Sequence, residues 1–185
     1  FPIAARLWRD MSGEHAERVR EAERADIAAH LHESGQTVLQ VRVEHELEHH
    51  GEAWQWFGRG QGIALLPRHD AHSSALVVTL PAPEMAPLLE LDDDALGTSL
   101  TAYSQGRMGH LRVVGPRSAR PVVTSYAYRF VGPRTALIGQ AAVGMHPAAA
   151  HAFSLDIVSQ AALAHEIRGA LARGEPVHCP TALKR

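Results

Sequence analysis

The sequence holds a single cysteine, Cys179, in 185 residues. No disulfide can form within the chain, and a reducing compartment is the simpler expectation. No apolar run approaches the ~20 residues that a membrane-spanning helix needs. No signal-peptide pattern is present either, and the chain begins at Phe1 rather than a methionine, which reads as a processed or excised piece. An excess of one charge is also lacking. The 18 Lys+Arg against 20 Asp+Glu give a net charge of −2, which excludes the basic footprint of a nucleic-acid binder. The 15 glycines nowhere form G-x-G-x-x-G; Gly58, Gly60 and Gly62 come nearest, with the wrong spacing and no helix pattern behind them. With 45% apolar residues there is material for an ordinary core, in one domain or one and a half.

What is present is organised around the stretch from Arg134 to Ile157. It reads as an apolar run ending at Ile138, a turn at Gly139 and Gln140, a small-residue loop through Pro147, and a helix opening near Ala150. Strand, tight loop and helix N-terminus together present backbone N–H groups to an electron-rich ligand, because the first helical turn has no internal partners for them. Ala141, Ala142, Ala148, Ala149, Ala150 and Ala152 leave room for something flat and large against the backbone.

The remainder reads as a sheet with helices. The charged, Ala-rich run from Met11 to His32 predicts a surface helix starting near Ser12, and Ser34-Gly35 punctuates it. From Thr37 to His50, Val41, Val43, His45, Leu47 and His49 alternate with polar residues, which is strand periodicity. That matters because His45-Glu46-Leu47-Glu48-His49 is literally H-E-x-x-H, a zinc signature that works only on a helix. On a strand the two histidines stand about 13 Å apart and cannot share one ion. Further strands are expected at 53–57, 62–66 and 74–80. Trp54, Trp56 and Phe57 fall in the first of these, either as core or as one wall of an aromatic-substrate pocket. A short helix opens at Pro83. Asp92, Asp93 and Asp94 then sit at the start of a second helix through Tyr103, where capping explains them better than metal binding. The segment 113–130 contains Pro116, Pro121 and a strand-like V-V-T-S-Y-A-Y-R-F at 122–130, in which Tyr126, Tyr128 and Arg129 either pack or edge a pocket. Ile157, Val158, Ala161, Leu163, Ile167 and Leu171 predict a buried helix ending at Gly174, with a loose tail from Glu175 to Arg185.

The central stretch also carries a resemblance. It is similar to the second flavin-contacting motif of the FAD-dependent aromatic-ring monooxygenases, the para-hydroxybenzoate hydroxylase-like group, with Gly139, Ala141, Ala142 and Pro147 matching the motif. E-H-E-L-E-H-H-G-E-A-W-Q-W-F at 44–57, A-L-L-P at 64–67, R-F-V-G-P-R at 129–134 and M-H-P at 145–147 resemble the ubiquinone-biosynthesis hydroxylases in the same order, covering roughly Ala25 to Gly169. The sequence departs from the motif at Gln140, where the family has Asp. It departs also at Ala150-His151-Ala152 in place of Gly-x-Gly, at Ser154 in place of Asn, and at Asp156 in place of a glycine. If the family backbone at Ala152 needs positive φ, its Cβ costs about 1–2 kcal/mol. Asp156 is expected to bring negative charge toward the helix start.

The resemblance implies an α+β fold: an antiparallel substrate-domain sheet with flanking helices, plus the C-terminal strand-loop-helix of an FAD-binding domain. The implied division is an N-terminal helical segment over 1–35, the sheet domain over 36–128, the flavin motif over 129–174 and a tail over 175–185. It further implies a flavin monooxygenase that inserts one oxygen from O2 into an electron-rich ring, with NAD(P)H or another donor as reductant. The implied cofactor contacts are Gly139, Gln140, Ala141, Ala142, Pro147, Ala150, His151, Ala152 and Ser154. His146 and His151 are the titratable groups placed to assist, beside a dry pocket at Met145, His146 and Pro147. The implied substrate is an aromatic or quinone-precursor molecule, and the implied location is cytoplasmic, at most peripheral to the inner membrane or within a biosynthetic complex. The glycine fingerprint that holds the ADP half of FAD lies, in that family, in an N-terminal Rossmann-like segment which this sequence lacks, so FAD is expected to be held weakly or not at all by this chain alone. The alternative is a flavin-free remnant acting as a binding or scaffold module.

Overall fold

The computed structural model describes residues 27–132 and 135–176. The helix expected from Ser12 falls outside them as far as residue 26, and so does the tail from residue 177. The described chain divides into two units, a larger one over 35–122 and a smaller one formed by 27–34, 123–132 and 135–176. The fold is α+β.

In the larger unit the strand order is β2 (Trp54–Gly58), β3 (Gln61–Pro67), β4 (Ser73–Pro81), β1 (Ala29–His45), β5 (Leu111–Ala127). β1 and β5 contribute residues to both units. The pairs β1/β4, β3/β4 and β2/β3 are antiparallel, and their register lines up Leu39, Val78, Ile63 and Trp56 in one row, and Val41, Leu76, Leu65 and Trp54 in the next. Period-2 alternation therefore puts one apolar set on one face. That face is buried against α1 (Ala82–Leu89) and α2 (Asp93–Tyr103) through Met85, Leu88, Leu96 and Leu100. The aromatic cluster is split by the same alternation: Trp56 packs against the core, while Phe57 is 63% exposed. The expected acidic cap is confirmed, since the Asp92 carboxylate accepts from the Ala95 N–H at 2.8 Å.

Two expectations are corrected here. Ala29–His32, assigned by pattern to a helix, are the start of β1, which continues through Gly35 at φ 71. The Ala-rich composition favours a helix locally, but pairing within the sheet overrides propensity. β5 is likewise longer than its strand-like stretch. It runs from Leu111 through Gly115, Pro116 and Pro121 to Ala127, and leaves Tyr128 and Phe130 beyond its end.

The His45 to His49 region also corrects a distance. The strand ends at His45 and the chain turns, so the two rings stand 5.9 Å apart, centroid to centroid, rather than on a continuing strand. Their ring nitrogens are engaged by other partners. The His45 Nδ1–H donates to the Leu47 carbonyl at 2.7 Å and Nε2 accepts from the Ser74 hydroxyl at 2.9 Å. His49 donates from Nε2 to the carbonyls of Arg68 and Asp70 and accepts at Nδ1 from the Gly51 N–H. Both rings are pins that fasten the turn, and no group of three or more metal-binding side chains forms among the described residues.

Burial lowers the His45 pKa below 6.5, with His49 and His72 adding to the effect and the Leu47 carbonyl opposing it. Folded His45 therefore stays neutral where the unfolded chain takes up a proton. Stability is intact above pH 6.5 and falls as pH drops from there toward the lowered folded value. We expect the urea midpoint to decline between pH 7.5 and 5.5, and His45→Gln to flatten that decline; an unchanged slope in the variant refutes this assignment.

The smaller unit is built from short pieces. β6 (Val131–Gly132) and β7 (Thr135–Ala136) pair as a hairpin, and β8 (Val143–Gly144) pairs with Ser125 and Tyr126 at the end of β5. Ile27, Ala127, Leu137 and Ala142 form its small core. Helix α3 (Ala152–Ala172) follows and stops at Gly174, φ 69, as the sequence indicates. The expected burial of α3 is corrected: only Asp156 and Ala170 are buried, and Phe153, Ile157, Val158 and Leu171 are 48–65% exposed. A helix of this length needs an apolar partner along its stripe, and within this unit the element that packs most against it is the one-turn loop at Gly139–Ala141.

Candidate functional site

Ile138 is extended at φ −132, and the next residue, Gly139, turns to φ 56. A side chain there would be strained by conformation and blocked by space, because the Asp156 carboxylate fills the place of a Cβ. The Gln140 backbone N–H donates to Asp156 Oδ1 at 2.9 Å and its side-chain amide to Oδ2 at 3.4 Å. Ala141 and Ala142 close a single 3-10 turn onto the carbonyls of Ile138 and Gly139. The chain then pairs with β5, where Gly144 leaves room for the Ser125 hydroxyl.

A second one-turn helix, Pro147–Ala149, is started by His146, whose Nδ1 accepts from the Ala148 N–H at 3.1 Å. Neutral His146 therefore carries its proton on Nε2. Ala150 lies in the left-handed region, φ 53 and ψ 17, and His151 leads into α3 with no side-chain cap. His151, Phe153 and Ser154 are exposed at this helix start. Among the described residues the N-cap His151 supplies no side-chain hydrogen bond to the first-turn N–H groups, and they carry the positive end of the helix dipole.

Beside this loop is an open cleft of about 330 Å³, walled by Thr124, Ser125 and Tyr126 of β5 on one side and by Met145, His146 and Ala149 on the other. The site residues inferred from sequence separate into two groups. Met145, His146 and Ala149 line the cleft; Pro147, Ala150, His151, Ala152 and Ser154 do not, and lie in the turn and helix start that follow in the chain. Gly139, Gln140, Ala141 and Ala142 form the first turn, which packs against α3. Of the aromatic candidates, Tyr126 lines the cleft, while Tyr128 is 69% exposed outside it.

Two expectations change. Positive φ falls at Ala150, not Ala152, which is already helical. Asp156 does not present its charge at the helix start; the carboxylate is turned onto Gln140. Sequence reading missed Asp156 as a structural group, and also Thr124 and Ser125. For Asp156 a signal existed: Ala152, Asp156, Ser159, Leu163, Ile167 and Ala170 lie at helical spacing on the less exposed face, so a lone acid points inward.

Ala150 carries a prediction. A non-glycine residue in the left-handed region costs about 1–2 kcal/mol. Ala150→Gly is expected to raise the melting temperature by about 2–4 °C, after allowing for glycine's greater unfolded-state freedom; a lowered melting temperature refutes strain at this position.

No family model matches the chain. Over 159 residues it is 34% identical to ubiquinone hydroxylase UbiM of Neisseria meningitidis, covering 86% of this chain and 34% of that protein. It is 32% identical over 181 residues to ubiquinone hydroxylase UbiL of Rhodospirillum rubrum, covering 98% of this chain and 41% of that one. The flavin-dependent brominase Bmp2 shares the fold at a TM-score of 0.68 with 15% identity, over 92% of this chain and 44% of Bmp2. The chain thus spans 34–41% of the length of these curated relatives. With these matches, the chain is related over part of their length to two ubiquinone hydroxylases and shares its fold with a flavin-dependent brominase.

Proposed function

We propose that this chain forms the substrate sheet and the flavin-ring loop of an FAD-dependent aromatic hydroxylase of the ubiquinone-biosynthesis type. The observation that carries this reading is the uncapped start of α3 beyond Ala150, opening beside a cleft, in a chain 34% identical to a ubiquinone hydroxylase. The residues present fit one part of FAD. The small side chains at Ala148, Ala149, Ala150 and Ala152 admit a flat ring, and the first-turn N–H groups suit the electron-rich edge of a flavin. Bound there, FAD supplies the oxygen-transfer chemistry, with NAD(P)H as the proposed reductant.

The chain's own residues bind and orient. The backbone of Ala152 to Ser154 would hold the electron-rich edge of the flavin, and Gly139, Gln140, Ala141 and Ala142 brace the loop against α3. Met145 and Tyr126 give the cleft apolar surface suited to a ring. His146 lines the cleft and starts the Pro147–Ala149 turn through Nδ1. The substrate is an aromatic or quinone-precursor ring, and a lipophilic precursor makes peripheral contact with a membrane or a biosynthetic complex the natural setting. No helix among the described residues is long and apolar enough to cross a membrane.

A second reading, a flavin-free binding or scaffold module, draws on the exposed Phe153, Ile157 and Val158 of α3, which suit a protein partner. Flavin uptake separates the two. The purified full chain titrated with FAD is expected to bind it weakly, quenching flavin fluorescence only at high concentration, because the residues here hold one part of the cofactor. Colourless protein that leaves FAD fluorescence unchanged removes the enzyme reading and leaves the module.

A further inference from the structure

A buried carboxylate sits under the loop that begins at Gly139. Asp156 is 9% exposed and is the one acid among the buried residues described. A carboxylate withdrawn from water is costly unless donors meet it. Both donors that meet this one come from a single residue across the gap, the Gln140 backbone N–H at 2.9 Å and the Gln140 side-chain amide at 3.4 Å. The other polar side chain on the same face, Ser159, spends its hydroxyl on the carbonyls of its own helix. Asp156 is therefore the polar tie between α3 and the loop. That loop runs straight into β8 and then into Met145 and His146, which wall the cleft, so its placement is passed on to the wall.

We propose that Asp156 is a positioning residue for flavin binding: it fixes the Gly139–Ala142 loop from the helix side, and it requires an uncharged donor at position 140. The inference rests on the flavin reading above. It makes positions 140 and 156 a coupled pair that admits one carboxylate and one amide but not two carboxylates. Gln140→Glu keeps the shape of the side chain and replaces the donor with a second anionic oxygen facing the first, an arrangement in which both cannot ionise without cost. Asp156→Asn keeps an acceptor for the Gln140 N–H and removes the charge. The double variant Q140E/D156N restores one carboxylate facing one amide, with the roles exchanged.

The test is a double-mutant cycle on the full chain, reading melting temperature and the FAD dissociation constant from flavin fluorescence. Q140E is expected to lower the melting temperature by about 4 °C or more and to weaken FAD binding about tenfold or more. D156N, which keeps one acceptor for the Gln140 N–H but turns an amide toward the Gln140 side chain, is expected to lose less than Q140E in both readouts, and the double variant to recover most of what Q140E loses. Effects that simply add, with the double variant no better than Q140E, overturn the proposal. So does a Q140E protein that melts lower but binds FAD as the wild type does, since the contact would then be structural only. A wild-type chain that takes up no FAD, while the melting temperatures remain coupled, is a different failure: it removes the flavin reading and with it the positioning role.

Discussion

Gly97→Ala is expected to destabilise the larger unit by about 2–3 kcal/mol, even though alanine is the better helix former by about 1 kcal/mol. Gly97 lies within α2, and a Cβ there would land on the Leu111 carbonyl oxygen at the start of β5. The obstacle is backbone, so no side-chain rotation relieves it. Four residues on, the Thr101 hydroxyl donates to the Gly97 carbonyl at 2.8 Å and accepts from the Leu111 N–H at 2.9 Å, tying helix to strand. Moving the helix outward to admit a methyl group therefore breaks the Thr101 contact to Leu111 and opens space beside Leu96, Leu100 and Leu111, each 0% exposed. Urea unfolding measures the loss. Thr101→Val, which removes the hydroxyl bridge but needs no extra room, is expected to cost about 1–2 kcal/mol. Gly97→Ala at or above wild-type stability refutes the close approach.

The larger unit was the more legible of the two because its rules are local and periodic. Alternation at Val41 and Val43, the turn at Gly58 to Gly60 and the acid cap at Asp92 each name their element from neighbouring residues, and β2, β3, β4 and α2 stand close to where those signals put them. Where the sequence misleads, a distant partner decides. Ala29–His32 look helical alone and are strand once β1 forms its sheet. His45 and His49 approach because the chain turns toward Ser74 and Asp70, residues more than twenty positions away. The loop in the smaller unit was legible as a turn and a helix start, since glycine, proline and small side chains are specific there. Its internal tie was not. The Gln140 to Asp156 contact needs the loop folded back onto α3 before a carboxylate at position 156 has anything to hold. The burial of α3 was misread for the opposite reason: apolar spacing states what a helix can bury, and says nothing of whether a neighbour is there to bury it.

Gly139→Ala is expected to cost the smaller unit about 3 kcal/mol and to abolish the flavin uptake proposed above. The comparison with Ala150 makes this a sharp expectation. The two residues have nearly the same φ, 56 and 53, and position 150 accepts an alanine. Left-handed backbone alone therefore accounts for only about 1–2 kcal/mol. The difference lies in the surroundings, because the methyl group at 139 would occupy the site of the Asp156 carboxylate and drive it off the Gln140 N–H. That leaves a buried acid without its donors, which adds about 1–3 kcal/mol. Thermal melts of Gly139→Ala alone and with Asp156→Gly separate the contributions. The double variant removes the collision and keeps the φ strain, so it is expected to regain about half of the lost stability. Equal melting temperatures for the wild type and Gly139→Ala would show that the loop does not seat on Asp156, and the positioning of the cleft wall by α3 would have no physical basis.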